Sequence, residues 1–377
     1  MTKTPARPPK IRIEPLSGPR PVQFPEVLGF GRYFTNRMFR QSYSPGGGWE
    51  DGAIVPYQPL TLDPSAQILH CGQDVFEGSK AYRRPDGGIN LFRIDQNMAR
   101  FNRSAQRMGM PVIDPDFHVE AIKTLVALEQ EWIPTQPGSA LYIRPVMIAT
   151  ESTLEVRASH TFMHFIILSP VGPYFGTGLS PVPVFISHDY VRAVRGGTGE
   201  AKTIANYAGS ILATEEARQL GFQQVLWLDA VERRLVEEVG GMNIAFVRHG
   251  NHISTPALSG SILPGVTRDS ILRLAPDLGW TASEDRIDVN DMLADIETGR
   301  ITEVFAMGTG AVIAPVGRFR YMDKDYVIND NQTGPVAQRL FDALTDIQYG
   351  RAADPYGWTQ RIDPGEQFVR SQRSANA

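Results

Sequence analysis

The run RGGTGEAKTIANYAG, Arg195 to Gly209, places one lysine, Lys202, behind three glycines (Gly196, Gly197, Gly199) and five residues ahead of Tyr207. Glycine lets a backbone turn sharply or approach another group closely, so such a stretch can cradle a phosphate or present an amine. The standard phosphate loops fail here on spacing. A P-loop needs Gly-Lys-Ser/Thr in succession, whereas Lys202 follows Gly-Glu-Ala, and a dinucleotide fingerprint needs its third glycine where Lys202 itself stands. Two readings remain: a solvated lysine on a surface loop, and a lysine whose amine condenses with a carbonyl.

A lysine of the second kind holds pyridoxal phosphate, and that cofactor needs a carboxylate at its ring nitrogen, a donor to its phenolate oxygen and anion sites for its phosphate. The chain has a candidate for each. Four segments, GGTGEAK…NYAGSILA, QVLWLDAVERRLVEEVGGMNIAFV, LPGVTRDSIL and EVFAMGTGAVIAPV, resemble the branched-chain aminotransferases of pyridoxal-phosphate fold type IV. The resemblance runs in order and with matching spacing from about Phe30 to Gly357.

The resemblance implies that Lys202 is the Schiff-base lysine and moves the proton at the substrate α-carbon. It makes Glu238 the carboxylate at the ring nitrogen and Tyr207 the donor to the phenolate oxygen, with Glu237 a solvent-facing strand residue beside them. The phosphate falls to Arg100, to the helix start at Val266 and Thr267, and to Thr309. Taken singly, Arg100 reads as a solvated helix residue and Thr267 as an N-cap. For substrates the resemblance implies an apolar wall of Phe30, Phe76 and Tyr142, Arg144 for the distal carboxylate of glutamate, and Gly241, Thr309, Gly310 and Ala311 for the α-carboxylate. The loop matching Thr153 to Val156 reaches a partner's active site in the family, which implies a homodimer.

The chain departs from the family at Cys71, where tyrosine is usual, and at Glu155, where glycine is common. Losing that tyrosine enlarges the pocket and changes or broadens the side-chain preference. Read without the resemblance, Cys71 is a small buried apolar residue on a strand, with His70 pointing to the opposite face.

These residues need elements to position them. Strands broken by a turn at Pro85 to Gly88 precede a helix from about Gln96 to Met108, in which Met98, Phe101, Ala105 and Met108 repeat at helical spacing, with Arg100 and Arg103 projecting away from the stripe's centre. A second amphipathic helix, FHVEAIKTLVALEQEWI, leads into two strand-like runs, ALYIRPVMIAT and HTFMHFIILSP. After the Gly- and Pro-rich VGPYFGTGLSPVPV come a strand (VFIS), a helix from Asn206 to Leu220, a strand (QQVLWLDA), a hairpin around His249 to Asn251, a helix capped near Thr267 and two strands joined by Gly-Thr-Gly. The expected organisation is a flexible Pro-rich leader (1–25), a small α/β domain (26–170), a connection (171–183) and a large cofactor domain (184–377). The fold class is α+β, with the cofactor expected at the domain interface.

The bulk composition narrows the rest. A net charge of -4 from 37 basic and 41 acidic residues gives no electrostatic case for nucleic acid or an anionic membrane. A single cysteine excludes an internal disulfide and any multi-cysteine metal site and fits a reducing, cytoplasmic compartment. No apolar run is long enough to cross a bilayer. His160 and His164 would share a face of one strand, but two ligands make no metal site. The leading expectation is a transaminase moving amino groups between apolar L-amino acids and 2-oxoglutarate. The alternatives are a fold type IV enzyme acting on (R)-amines or D-amino acids and a non-catalytic pyridoxal-phosphate-binding protein.

Overall fold

The computed structural model describes residues 9–175 and 178–363. The first eight residues of the leader, two residues of the expected connection and residues 364–377 lie outside the described residues. The described chain falls into two units, one made of the segment up to Gly172 together with the segment from Asp354 onward, the other of Pro173–Ala353.

The first unit is a sheet whose centre is the long antiparallel pair Ala140–Ala149 and Phe162–Val171. Alternation along these strands separates two faces. Leu141, Ile143, Ile166 and Leu168 turn inward with Met98, Ile122 and Leu125 of the helices Ile94–Arg107 and Pro115–Leu128. Tyr142 and Arg144 take the other face. In the first helix Met98, Phe101 and Ala105 of the expected stripe are fully buried together with Ile94, while Met108 is half-buried at the C-cap. The second starts at Asp114, whose carboxylate accepts from Phe117 N at 2.8 Å, with Pro115 in the first turn.

Three expectations change in this unit. Ile11–Ile13 runs parallel to Gly52–Ile54, so this part of the Pro-rich leader is an edge strand, with Ile11 and Ile13 packed against the core. The segment around Cys71 is a helical turn, Ile68–Cys71, ended by Gly72 in the left-handed conformation at φ 60°. Cys71 is exposed there. The two histidines do not share a strand face: His160 precedes the strand and is exposed, while His164 is fully buried against His118, their ring centroids 4.5 Å apart. At the other edge Thr359–Ile362 pairs antiparallel with Ile89–Phe92.

The second unit is a mixed sheet in the order Val236–Val239, Gln224–Leu228, Val182–Ile186, Val312–Tyr321, Ile301–Gly308, Asn243–Arg248, His252–Pro256 and Thr281–Asp285. Its core gathers Ile244, Phe246, Met292, Val304 and Phe319. The expected hairpin is present, with Val247 opposite Ile253. The expected helix from Asn206 is instead two, Ile204–Ala208 and Ile211–Gln219. The break has a local cause: Ser210 Oγ donates to Tyr207 O at 2.7 Å and takes the carbonyl that a continuing helix would use. The helix Val266–Asp277 is capped by Gly265, and Thr267 lies inside its first turn.

Candidate active site

In the second unit the Gly-rich run is a shaped loop, not a solvated one. Asn206, buried at the first turn of its helix, donates to Thr198 O and Ala201 O, each at 2.8 Å, and accepts from Thr198 Oγ1 at 2.7 Å. A Cβ on Gly199 would lie 2.2 Å from Ser261 O, so only glycine permits this backbone contact. Arg192 fastens the same junction by donating to Gly199 O at 3.2 Å and to Ser261 O. The glycines thus fix where Lys202 stands. Lys202 Nζ donates to Tyr207 Oη at 2.9 Å, and Gly241 abuts the Tyr207 ring, its would-be Cβ 3.2 Å from Cε1.

Glu238 lies on the strand Val236–Val239, opposite Trp227 of the neighbouring strand, and is 2% exposed. Its Oε1 accepts from Asn243 Nδ2 at 3.1 Å and Leu263 N at 3.3 Å, and its Oε2 pairs with Arg192 at 2.6 Å. Burial pushes its carboxyl up to about 6, against the pull of the Arg192 guanidinium. A carboxylate offers about four acceptor directions. The protein uses three, which leaves room for one more donor and fits a protonated ring nitrogen. Glu237 is not solvent-facing as expected. It is 4% exposed and accepts from Ser261 Oγ, because a second layer of chain, Pro256 to Ile262, covers that side of the strand.

Asn243 organises the segments expected to bind the phosphate. Its amide also donates to Leu263 O at 3.0 Å, and its Oδ1 sits where a Cβ on Gly265 would be, 2.0 Å away. Gly265 begins the helix with no side-chain cap, so the Val266 and Thr267 end keeps the positive pole of the helix dipole. Across the sheet Asn243 pairs with Met307, two residues before Thr309 in the turn that joins Gly308 to Val312. Glu238, the helix start and the Thr309 turn therefore meet at one end of this sheet. Gly310 abuts Tyr174, and Ala311 packs on the core.

The first unit gathers the expected substrate residues on the outer face of its central strand. Tyr142 and Phe30 meet edge to face at 4.8 Å, and a Cβ on Gly78 would collide with Tyr142 Oη at 1.9 Å. Arg144 donates to Tyr142 Oη at 3.0 Å and lies 4.7 Å over the Phe76 ring, while its buried Nε has no hydrogen-bond partner among the described residues. Such a donor calls for an anion. Lys80, opposite Tyr142 in register, is buried, and burial pulls its amine down to about 8.

Two expectations need correction. Arg100 is not solvated: it is 4% exposed and held by both oxygens of the buried Glu77, at 2.6 and 3.0 Å. A surface stripe argument misplaced it because its carboxylate partner is remote in sequence. Cys71 is not buried, and no hydrogen bond or ring contact joins it to Phe76, Tyr142 or Arg144 among the described residues. Sequence reasoning also missed Arg192, Asn206 and Asn243. Asn243 lies in the quoted VEEVGGMNIAFV, where a polar residue opening the apolar run NIAFV was the available signal, and Asn206 opens the quoted NYAGSILA at the expected helix start; Arg192 had no signal. No group of three metal-binding side chains occurs among the described residues.

The model of the family described as amino-transferase class IV matches residues 74–319. Branched-chain-amino-acid transaminase 1 of Bacillus subtilis is 50% identical over 339 residues, covering 90% of this chain and 95% of that protein. A probable branched-chain-amino-acid aminotransferase of Streptomyces coelicolor is 50% identical over 354 residues, covering 94% and 98%. The crystal structure of the Escherichia coli branched-chain amino acid aminotransferase superposes with a TM-score of 0.73 at 26% identity, over 87% of this chain and 99% of that one. The T.th. branched-chain amino acid aminotransferase complexed with N-(5′-phosphopyridoxyl)-L-glutamate gives 0.68 at 28% identity, over 86% and 98%.

Proposed function

The chain belongs to the class IV aminotransferases, within the branched-chain aminotransferase family, and on that premise we propose that it moves the amino group between branched-chain L-amino acids and 2-oxoglutarate, with Lys202 as the reacting amine. The observation that carries the reading is Lys202 Nζ bonded to Tyr207 Oη, beside a Gly241 turn that leads from the three-donor carboxylate of Glu238.

Bound pyridoxal 5′-phosphate supplies an aldehyde that condenses with amines and a ring that takes up the electron pair left when the substrate α-carbon loses its proton. The chain's own residues do the rest. Lys202 holds the cofactor between turnovers, takes the proton from the substrate α-carbon in one half-reaction and returns one to the α-carbon of the incoming 2-oxo acid in the other. Tyr207 orients the lysine amine and donates to the cofactor's phenolate oxygen. Glu238 holds the proton on the ring nitrogen, and its buried setting keeps water from competing for it. Val266, Thr267 and Thr309 hold the phosphate, the first two through the positive end of their helix, while Arg100, which the resemblance assigned to it, is held by Glu77.

For the substrate, Phe30, Phe76 and Tyr142 form the apolar wall that accepts a branched side chain, and Arg144 takes the distal carboxylate of glutamate through the donor that has no partner among the described residues. Gly241, Gly310 and Ala311 bind the α-carboxylate. The chain is a cytoplasmic homodimer. Supporting this, Leu154 and Val156 stand 69% and 92% exposed on a loop tied down by Gln67, which donates to Glu155 O and Arg157 O. An apolar pair held out by a fastened loop suits a partner's surface.

The test is a coupled assay of L-leucine with 2-oxoglutarate. Lys202→Ala should lower kcat by about a thousandfold or more; retention of wild-type turnover would end the proposal.

A further inference from the structure

Arg192 stands in the irregular chain between the strand Val182–Ile186 and the helix Ile204–Ala208, where an arginine is ordinarily solvated. Its side chain is only 5% exposed. Nη2 directs its two N–H groups at backbone, donating to Gly199 O at 3.2 Å and to Ser261 O, and the same atom lies 2.6 Å from Glu238 Oε2. Nε is buried and has no hydrogen-bond partner among the described residues. A buried guanidinium with a donor left unmet is costly, so hydrogen bonding alone does not account for its place; the charge of Glu238 offsets that cost.

Two adjacent carboxylates feel this one guanidinium. Burial raises both, Glu237 above its ordinary range and Glu238 up to about 6, and Arg192 pulls both down. Lys202 pulls Glu238 down as well, while Glu237 pushes Glu238 up and Asp229 pushes Glu237 up. Of the two cations, Arg192 is the one whose charge persists. A guanidinium does not titrate, whereas the Lys202 amine condenses and is released in turn as the reaction proceeds.

Resting on the reading of Glu238 as the partner of the ring nitrogen, we propose that Arg192 is a positioning residue of the reaction: through Glu238 it keeps the proton on the ring nitrogen of the bound cofactor, and through Gly199 O it ties that carboxylate to the loop carrying Lys202. A carboxylate beside a guanidinium is a weaker base than one buried alone. The proton shared between Glu238 and the ring nitrogen therefore stays on the nitrogen. With the guanidinium gone it moves to the carboxyl, and the ring loses the positive charge that draws in the electron pair of the α-carbon.

The test compares two ligands on the full-length protein stripped of cofactor and reconstituted: pyridoxal 5′-phosphate and its carbocyclic analogue, in which C–H replaces the ring nitrogen. The wild type should prefer the cofactor, because the analogue offers Glu238 no proton. Arg192→Gln removes the charge but keeps an amide donor for the two carbonyls, and should cut that preference by about tenfold or more, the equivalent of about one unit of carboxyl basicity. Since activity requires Glu238 ionised and the variant raises its pKa, the acid limb of the kcat profile should move to higher pH, with KM for leucine little changed. Arg192→Lys keeps a positive charge and should hold the preference within about threefold of the wild type. Equal weakening of both ligands in Arg192→Gln would make Arg192 a scaffold residue and overturn the inference, as would loss of the preference in folded Arg192→Lys, the arm that decides if Arg192→Gln fails to fold. A wild type that binds the two ligands equally would overturn it together with the role of Glu238, whereas a wild-type preference left intact in Arg192→Gln would overturn it alone.

Discussion

At the residue scale, the proposed function gives Arg144 the task of separating the two substrates. Its Nε has no partner among the described residues and its Nη2 is aligned by Tyr142, so an acidic substrate satisfies it and an aliphatic one does not. Arg144→Gln should raise KM for glutamate and 2-oxoglutarate by roughly tenfold to a hundredfold, the value of a charge-assisted pair, with kcat/KM for leucine nearly unchanged. Steady-state kinetics on both amino acids checks this, and equal losses on both would place Arg144 in the scaffold. The residues whose contacts were readable in the sequence are those whose partners lie nearby in the chain. Lys202 and Tyr207 are five apart across one helical turn, and they bond at 2.9 Å. Arg192, Asn243 and Arg100 reach Glu238, Leu263 and Glu77 across the fold, and no local spacing announces these pairs, although Asn243 also bonds Glu238 only five residues away. The burial of Glu237 was illegible for the same reason: the chain that covers it returns some twenty residues later, at Ser261.

At the element scale, the strands and the two helices of the first unit followed from period-two and period-3.6 apolar spacing, because each buries one face on one core. What spacing could not give is termination by side-chain chemistry. Ser210 splits the helix after Tyr207, and Gly72 closes a helical turn where a strand was expected. The loop before Lys202 is the element on which the proposed function depends. Gly199→Ala would push a methyl group into the backbone of Ser261 and must shift the loop or the Ser261 segment. The expected cost is about 1–3 kcal/mol of stability, as for other overpacked sites, together with weaker cofactor retention. Thermal melting and cofactor release on dialysis would read both; a variant with wild-type melting and retention would show that the loop yields freely.

At the scale of the whole molecule, the α+β class and the family were legible because the quoted segments occur in order over most of the chain. The strand Thr359–Ile362, which rejoins the first unit, carries no motif and is placed only by its pairing with Ile89–Phe92. Assembly is the property to test here. The exposed Leu154 and Val156 predict a dimer by sedimentation equilibrium, and Leu154→Asp with Val156→Asp should weaken it by about tenfold or more, since each change would place a charge against apolar surface. A wild-type monomer, or a double variant that assembles normally, would remove the loop from the interface.

The measurement that bears most directly on the central claim is the absorbance spectrum of the purified protein with pyridoxal phosphate, titrated separately with L-leucine, L-glutamate and (R)-1-phenylethylamine. A band near about 410 nm, as given by a lysine-bound cofactor, should bleach with leucine and glutamate, return with 2-oxoglutarate, and be missing in Lys202→Ala. Bleaching by the (R)-amine alone would contradict the substrate assignment, and absence of the band from the cofactor-saturated wild-type protein would contradict the role of Lys202 itself.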